Sequence, residues 1–492
     1  MKAYAVVIGA GFAGLSAAAF MAKAGWQVTI IEKNSMAGGR GRQLKADGFV
    51  FDMGPSWYWM PDIFERFFEQ FGKKSTSYYD LNRLDPSYRI YWKDSYDDIP
   101  ADYESLKRLF EKIEKGSGEQ LDRYLKEAAY KYRIGMQQLV YKPGQSIAEF
   151  FDWQIIKKFF SLDVFTSIKK HISKYFTHPK LRQIMEFPIL FLGALPENTP
   201  ALYSLMNYAD IKGGTWYPAG GMYAVVDGMK KLAEELGVNF KFNEEAKEII
   251  IDKNKAKKLI TSKNEYVADV VISNADYHFT EKNLLPEIYR SYSEKYWDKK
   301  ILAPSCLLYY IGLNKKLKNV LHHSLFFDVA FDQHAEEIYS TPQWPSSPLF
   351  YVSTSSVTDK KVAPEGYENL VFLIPVASAL KDDTEELRTK YLDAIVERFE
   401  RHTGERIKDA IIYKKTFSIS DFQKDYNSYK GNAYGLANTL LQTAIFRPSC
   451  QSKKVKNLFY TGQFTVPGPG VPPSLISGEV VSKQVLKLFN KK

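Results

Sequence analysis

The chain has 492 residues, too many for one ordinary hydrophobic core, so two or three domains that share an interface are expected. Its 67 basic and 57 acidic residues leave a formal charge of +10, spread too evenly to define a nucleic-acid site, and no aromatic-and-basic RNA motif is present. Two cysteines exclude a disulfide framework and a zinc-type spacing, and the seven histidines form no metal-ligand pattern; adjacent His322 and His323 read as surface or packing residues.

The first element is a short, apolar, Val/Ile-rich strand, Tyr4 to Ile8, of the kind buried in parallel sheets. Gly9, Gly11 and Gly14 follow it in a G-x-G-x-x-G arrangement. The first glycine permits a tight strand-to-helix turn, the second lets a pyrophosphate approach the backbone, and the third allows close helix–strand packing. A helix from Ala13 to Ala24 is closed by Gly25, and the strand "QVTIIE" then ends on Glu32, placed to accept hydrogen bonds from ribose hydroxyls. These details exclude a secretory signal or a spanning anchor, because the residues after the apolar run complete a βαβ unit and Lys23 follows that run directly. A carboxylate at Glu32 also disfavours a 2′-phosphate, leaving NAD and FAD.

The next stretch, "MAGGRGRQLKADGFVFDMGPSW", places Gly38, Gly39 and Arg40 just beyond the acidic strand, followed by Asp52, Gly54 and Pro55. Here the sequence resembles the flavin amine oxidase and phytoene desaturase superfamily, in which a "GGR" turn and a following "F-D-x-G-P" pass close to FAD. The resemblance continues through "GGTWYPAGGMYAVVDGMKKLAEELGVNFKFN" (213–243), "ADVVISNAD" (268–276), "GNAYGLANTLLQTAIFRP" and "NLFYTGQFTVPGPGVPPSLISGEVVSKQV". The last two are similar to the end of bacterial and fungal phytoene desaturases. In its own right, the final block reads as a buried strand from Asn457 to Tyr460, ended by Gly462, then a rigid Pro/Gly loop into a helix near Leu475. The resemblance implies that this loop covers the flavin end of FAD, making Gly462 and Val471 candidate contacts.

The expected fold is α/β: a Rossmann-like FAD-binding domain from 1–75, 213–280 and 450–492, with a discontinuous substrate and membrane-associating domain from 76–212 and 281–449. Strand-like "LLYYIGL", "LFYVSTSS" and "LVFLIPVA" predict a mixed or antiparallel sheet, and helices are expected to dominate from Asp62 to about Asn207. The candidate cofactor residues are Gly9, Gly11, Gly14, Glu32, Gly39, Arg40, Gly54, Pro55, Gly462 and Val471. No metal is expected and no catalytic residue is named: Glu197 and Asp152 read as solvated or capping carboxylates, and Cys306 as a small core residue.

The resemblance implies an FAD-dependent carotenoid desaturase, converting phytoene to lycopene by successive hydride and proton removals. A hydroxycarotenoid 3,4-desaturase or a dehydrosqualene desaturase would share every motif. Amine and porphyrinogen oxidases share the front half, and proteins resembling Rab GDP-dissociation inhibitors would bind prenyl lipids on this fold without catalysis. The expected partners are a long apolar polyene, a membrane surface, and quinone or oxygen as electron acceptor, with no nucleic acid. Localisation is expected to be cytoplasmic and peripheral to the membrane. Between Trp153 and Met185, Lys157, Lys158, Lys169, Lys170 and Lys174 face an apolar series of Ile155, Phe159, Leu162, Phe165, Ile168 and Ile172, which fits an interfacial helix or an amphipathic helix packed on its own domain.

Overall fold

The computed structural model describes residues 2–146, 149, 166–190 and 193–489. A five-stranded parallel sheet is assembled from widely separated segments, in the order Leu458–Tyr460, Val270–Ser273, Tyr4–Ile8, Gln27–Ile31 and Asn239–Lys241. Buried on both faces, its central strands carry the near-continuous Val/Ile runs that parallel sheets require.

Two helices lie together over this sheet, Phe12–Lys23 and Val471–Phe489. Small residues allow them to touch: a β-carbon on Gly478 would sit 2.5 Å from the Ala13 carbonyl oxygen, and Ser16 Oγ donates to the Leu475 carbonyl at 2.7 Å. Because both helices begin at the same edge of the sheet, two sets of helix N-terminal amides open toward one place.

A second, seven-stranded sheet runs Ile411–Phe417, Ser305–Leu313, Glu368–Val376, Phe350–Ser353, His323–Phe326, Tyr88–Tyr91 and Tyr96–Ile99. It is mixed, since only the His323–Phe326 and Tyr88–Tyr91 strands pair in parallel. Among the described residues of 62–207 helices dominate, as expected, but the strands Leu81–Arg83, Tyr88–Tyr91 and Tyr96–Ile99 interrupt them. Each is only three or four residues long, so its period-2 pattern is too short to stand out from the helical signal on either side.

In the basic segment, residues 150–165 lie outside the described residues, and with them Asp152, Lys157, Lys158 and the apolar positions before Ile168. The remainder packs inward: Ile168 and Ile172 are fully buried, and Lys169 pairs with Glu197. Among the described residues, no helix is long and apolar enough to cross a membrane.

Buried His334 has both ring nitrogens engaged: Leu349 N–H donates to Nδ1 at 3.0 Å, while Nε2 lies 2.9 Å from the Pro375 carbonyl and donates to it. Protonating Nδ1 would set two donors against each other, and burial pushes this imidazole from 6.5 down to about 4. The unfolded chain takes up this proton below about pH 6.5 and the folded one only near 4, so the His334 contribution is complete above 6.5 and lost as pH falls toward 4. The urea midpoint of the wild type is therefore expected to drop more steeply between pH 7 and 4.5 than that of His334→Gln; parallel curves would refute it.

Candidate functional site

Nine of the ten candidate residues, Gly9, Gly11, Glu32, Gly39, Arg40, Gly54, Pro55, Gly462 and Val471, line a single cavity. Gly14 does not line it but shapes its edge. A β-carbon at Gly14 would lie 2.1 Å from the Gly9 carbonyl oxygen, so the turn closes only around a hydrogen. Gly9 itself, at φ +96°, is in the left-handed region that other residues avoid.

The turn is pinned from the neighbouring strand. Asn274, directly after the Val270–Ser273 strand, accepts hydrogen bonds on its side-chain oxygen from Gly11 and Gly14 N–H, each at 3.2 Å. Its amide group also lies 2.9 Å from where a β-carbon on Gly462 would be, which ties the first glycine turn to the last. Asn274 was missed in the sequence, where "SNAD" reads as a plain strand-to-helix turn.

Glu32 is buried, yet its carboxylate is well supplied with donors: Ala10 N–H at 2.9 Å on Oε2 and Asn34 N–H at 2.9 Å on Oε1. It thereby braces the glycine turn while standing on the cavity wall. With Asn34, Glu244 and Ala246 nearby, it marks the end suited to a ribose and its base.

Arg40 also lines the cavity. Its Nη2 donates to Ser428 Oγ and to the Asn432 carbonyl, both at 3.2 Å, and its guanidinium lies over the Tyr426 ring at 5.2 Å. Its Nε is buried with no partner among the described residues. Burial lowers the pKa of Arg40, and the nearby Asp276 carboxylate acts in the opposite sense; burial in turn raises that of Asp276 against the pull of its amide donors and of Arg40. A half-buried guanidinium whose Nε lacks a partner among the described residues, beside two helix N-termini, fits the pyrophosphate of a dinucleotide.

One part of the lining is apolar. Leu308, Leu373, Cys306 and Tyr434 line it, together with Val471 at the start of the Val471–Phe489 helix. Cys306 is the buried strand residue expected, and burial pushes its thiol up to about 12, which excludes a standing thiolate. Glu197, the carboxylate considered earlier, is exposed and committed to Lys169.

The lining of this cavity combines the Glu32 carboxylate, the cations Lys33 and Arg40, two helix N-termini and apolar side chains, a set that fits a flavin dinucleotide. The family described as flavin containing amine oxidoreductase matches residues 12–486. Over 483 residues, covering 98% of this chain and 97% of the relative, the sequence is 42% identical to a carotenoid 3,4-desaturase of Haloarcula japonica. It is 30% identical to a zeta-carotene-forming phytoene desaturase of Myxococcus xanthus, over 98% of this chain and 93% of that protein. Among solved structures, a putrescine oxidase variant superposes with a TM-score of 0.64 at 13% identity, covering 100% of this chain and 99% of that one, which shows the shared fold. The chain belongs to the carotenoid desaturases of the flavin containing amine oxidoreductase family, and is an FAD-dependent oxidoreductase. That assignment displaces the non-catalytic lipid-binding alternative.

Two substitutions test the turn. Gly14→Ala places a methyl against the Gly9 carbonyl, and Asn274→Leu leaves two amide donors unsatisfied at a cost of about 1–3 kcal/mol each. Both purified proteins are expected to carry a small fraction of the wild-type flavin, measured by absorbance after denaturation. Full flavin content in either would show that the turn does not depend on that contact.

Proposed function

We propose that this chain is a carotenoid 3,4-desaturase, introducing a double bond next to the conjugated system of a polyene. The reading is carried by the 42% identity along nearly the full length of the Haloarcula japonica relative. Phytoene desaturation, the first expectation, remains the second reading, supported by the Myxococcus xanthus relative at 30%. Bound FAD supplies a two-electron hydride acceptor. Everything else falls to the protein: holding two adjacent C–H bonds at the apolar end of the cavity, excluding water there, and letting a proton leave the neighbouring carbon.

The side chains suited to a polyene lie beside Pro55. Trp57 touches Trp59, Tyr88, Phe187 and Tyr351 with ring centroids 5.3 to 5.7 Å apart. Such an aromatic wall offers a large apolar surface and π-faces to a conjugated chain.

The substrate is proposed to be collected from a membrane surface, since a long polyene is nearly insoluble in water. Supporting this, Leu441, Phe446 and Ile301 are 71%, 51% and 51% exposed. They lie close together, because Gln442 bonds the backbone of Ile301, and Lys299 and Lys300 precede them. Quinone or oxygen is proposed to reoxidise the flavin.

Expression in two bacterial hosts, one accumulating phytoene and one accumulating a longer conjugated carotenoid, separates the readings by chromatography of the pigments. New double bonds only in the second host, abolished by Gly11→Val, are expected; lycopene formed in the first would establish phytoene desaturation instead. Leu441→Glu with Phe446→Glu is expected to reduce sedimentation with anionic liposomes several-fold, and unchanged sedimentation would remove this patch from membrane binding.

A further inference from the structure

A second cavity, of about 1090 Å³, opens among the helices Pro61–Glu69, Ser117–Ile134, Leu205–Ile211 and Val471–Phe489, and none of its lining residues lines the cofactor cavity. It lies behind the aromatic wall. Ala209 lines it, and the next residue, Asp210, accepts from the Tyr88 hydroxyl at 2.9 Å and from the Thr215 hydroxyl at 3.1 Å, while Thr215 accepts from Trp59 Nε1 at 2.8 Å.

The lining is cationic: Arg66, Lys126, Arg133, Lys212 and Lys483 stand against one carboxylate, Asp62. Arg66 and Lys483 share the buried Glu479, at 2.7 and 2.6 Å, and Asp62 accepts from the Tyr132 hydroxyl at 2.8 Å. Lys126, Arg133 and Lys212 have no ion pair among the described residues. Helical spacing brings Lys126, Tyr130 and Arg133 to one face of Ser117–Ile134. Asp122, four residues before Lys126, is placed to pair with it, yet its carboxylate takes hydrogen bonds from Lys107 and the Tyr103 hydroxyl instead. Burial, with the neighbouring Lys107, lowers the pKa of Lys212 against the pull of Asp122 and Glu104. An ammonium in that condition gains from an anion.

Aromatic surface flanks these cations. Tyr130, Tyr132, Tyr141 and Tyr208 are half-buried in the lining, and the Arg66 guanidinium lies over the Tyr141 ring at 4.0 Å. Rings with one apolar and one wet edge suit the boundary between headgroups and hydrocarbon. The cavity also adjoins the exposed apolar patch: Tyr141 leads to Gly144, where a β-carbon would sit 3.1 Å from the carbonyl oxygen of Ala444, a residue between Leu441 and Phe446 in the chain. We propose that this cavity seats the phosphate of an anionic phospholipid headgroup, with Lys126, Arg133 and Lys212 as its cations, beside the patch that meets the hydrocarbon. This rests on the membrane reading above and adds to it a requirement for negative lipid charge.

The test is sedimentation of flavin-loaded holoenzyme with vesicles of phosphatidylcholine alone or mixed with phosphatidylglycerol, flavin content reporting the folding of each variant. Wild type is expected to prefer the phosphatidylglycerol vesicles, and Lys126→Gln with Arg133→Gln to lower that affinity by about 10- to 30-fold. Lys255→Gln with Lys257→Gln removes the same charge from the strand Lys255–Thr261 and is expected to lower it by less than about threefold. Ala129→Phe, which fills the cavity at constant charge, is expected to weaken binding several-fold. Equal losses in the two double variants, or full binding by Ala129→Phe, overturn the cavity as the seat. Release from phosphatidylglycerol vesicles by inorganic phosphate at constant ionic strength overturns the lipid in favour of a free phosphate. Equal binding of wild type to both vesicle types overturns the headgroup site and leaves the membrane reading standing; sedimentation with neither overturns both.

Discussion

The site depends on one side chain placed between two turns. Asn274 takes the amides of Gly11 and Gly14 and lies against Gly462, so the beginning and the end of the chain are held in register by a residue from its middle. The sheet makes this possible. The strand before Asn274 runs between Tyr4–Ile8 and Leu458–Tyr460, and in a parallel sheet all three strands deliver their carboxyl ends to one edge. Moving any of the three would carry an amide or a glycine out of reach of the asparagine. The cofactor seat and the closure of the fold are thus a single arrangement, and the crossing of Phe12–Lys23 with Val471–Phe489 at Gly478 secures it from above.

Electrostatics complete what the backbone begins. Arg40 is half-buried and Asp276 buried, and each acts against the desolvation of the other, yet the buried Nε of Arg40 has no partner among the described residues. Leaving a guanidinium in this condition is unfavourable in the free protein. The same deficit favours an anion, because a pyrophosphate supplies acceptors that no described side chain does. Glu32 contributes the opposite sign at the ribose end, where its two backbone donors keep a buried carboxylate supported. The cavity lining therefore holds the three kinds of group that a dinucleotide needs: acid, cation and apolar surface.

Much of this was legible in the sequence, and for a physical reason. Gly9, Gly11, Gly14 and Glu32 fall within one local βαβ unit, where spacing alone dictates geometry. Arg40, Gly54, Pro55, Gly462 and Val471 became candidates only through the resemblance to the flavin amine oxidase and phytoene desaturase superfamily, and they line the same cavity. Asn274 was not legible, because its partners are over 250 residues away and its own neighbours look like an ordinary turn. The strands at 81–99 escaped because they are short and their partners are remote: Leu81–Arg83 pairs with Trp216–Pro218, and the other two belong to a sheet whose remaining members begin near residue 305. His322 and His323 could be read only as a pair of packing histidines; which nitrogen lacks a partner depends on Tyr351, on a strand that follows later.

The substrate side follows a different logic from the cofactor side. A dinucleotide offers phosphates and hydroxyls, so its seat is built from backbone amides, an acid and a cation, groups whose identity shows in sequence motifs. A polyene offers only surface, and an aromatic wall such as Trp57, Trp59, Tyr88 and Phe187 grips many chains of similar width with little discrimination. Selection among such chains has to come from the few polar atoms the wall contains.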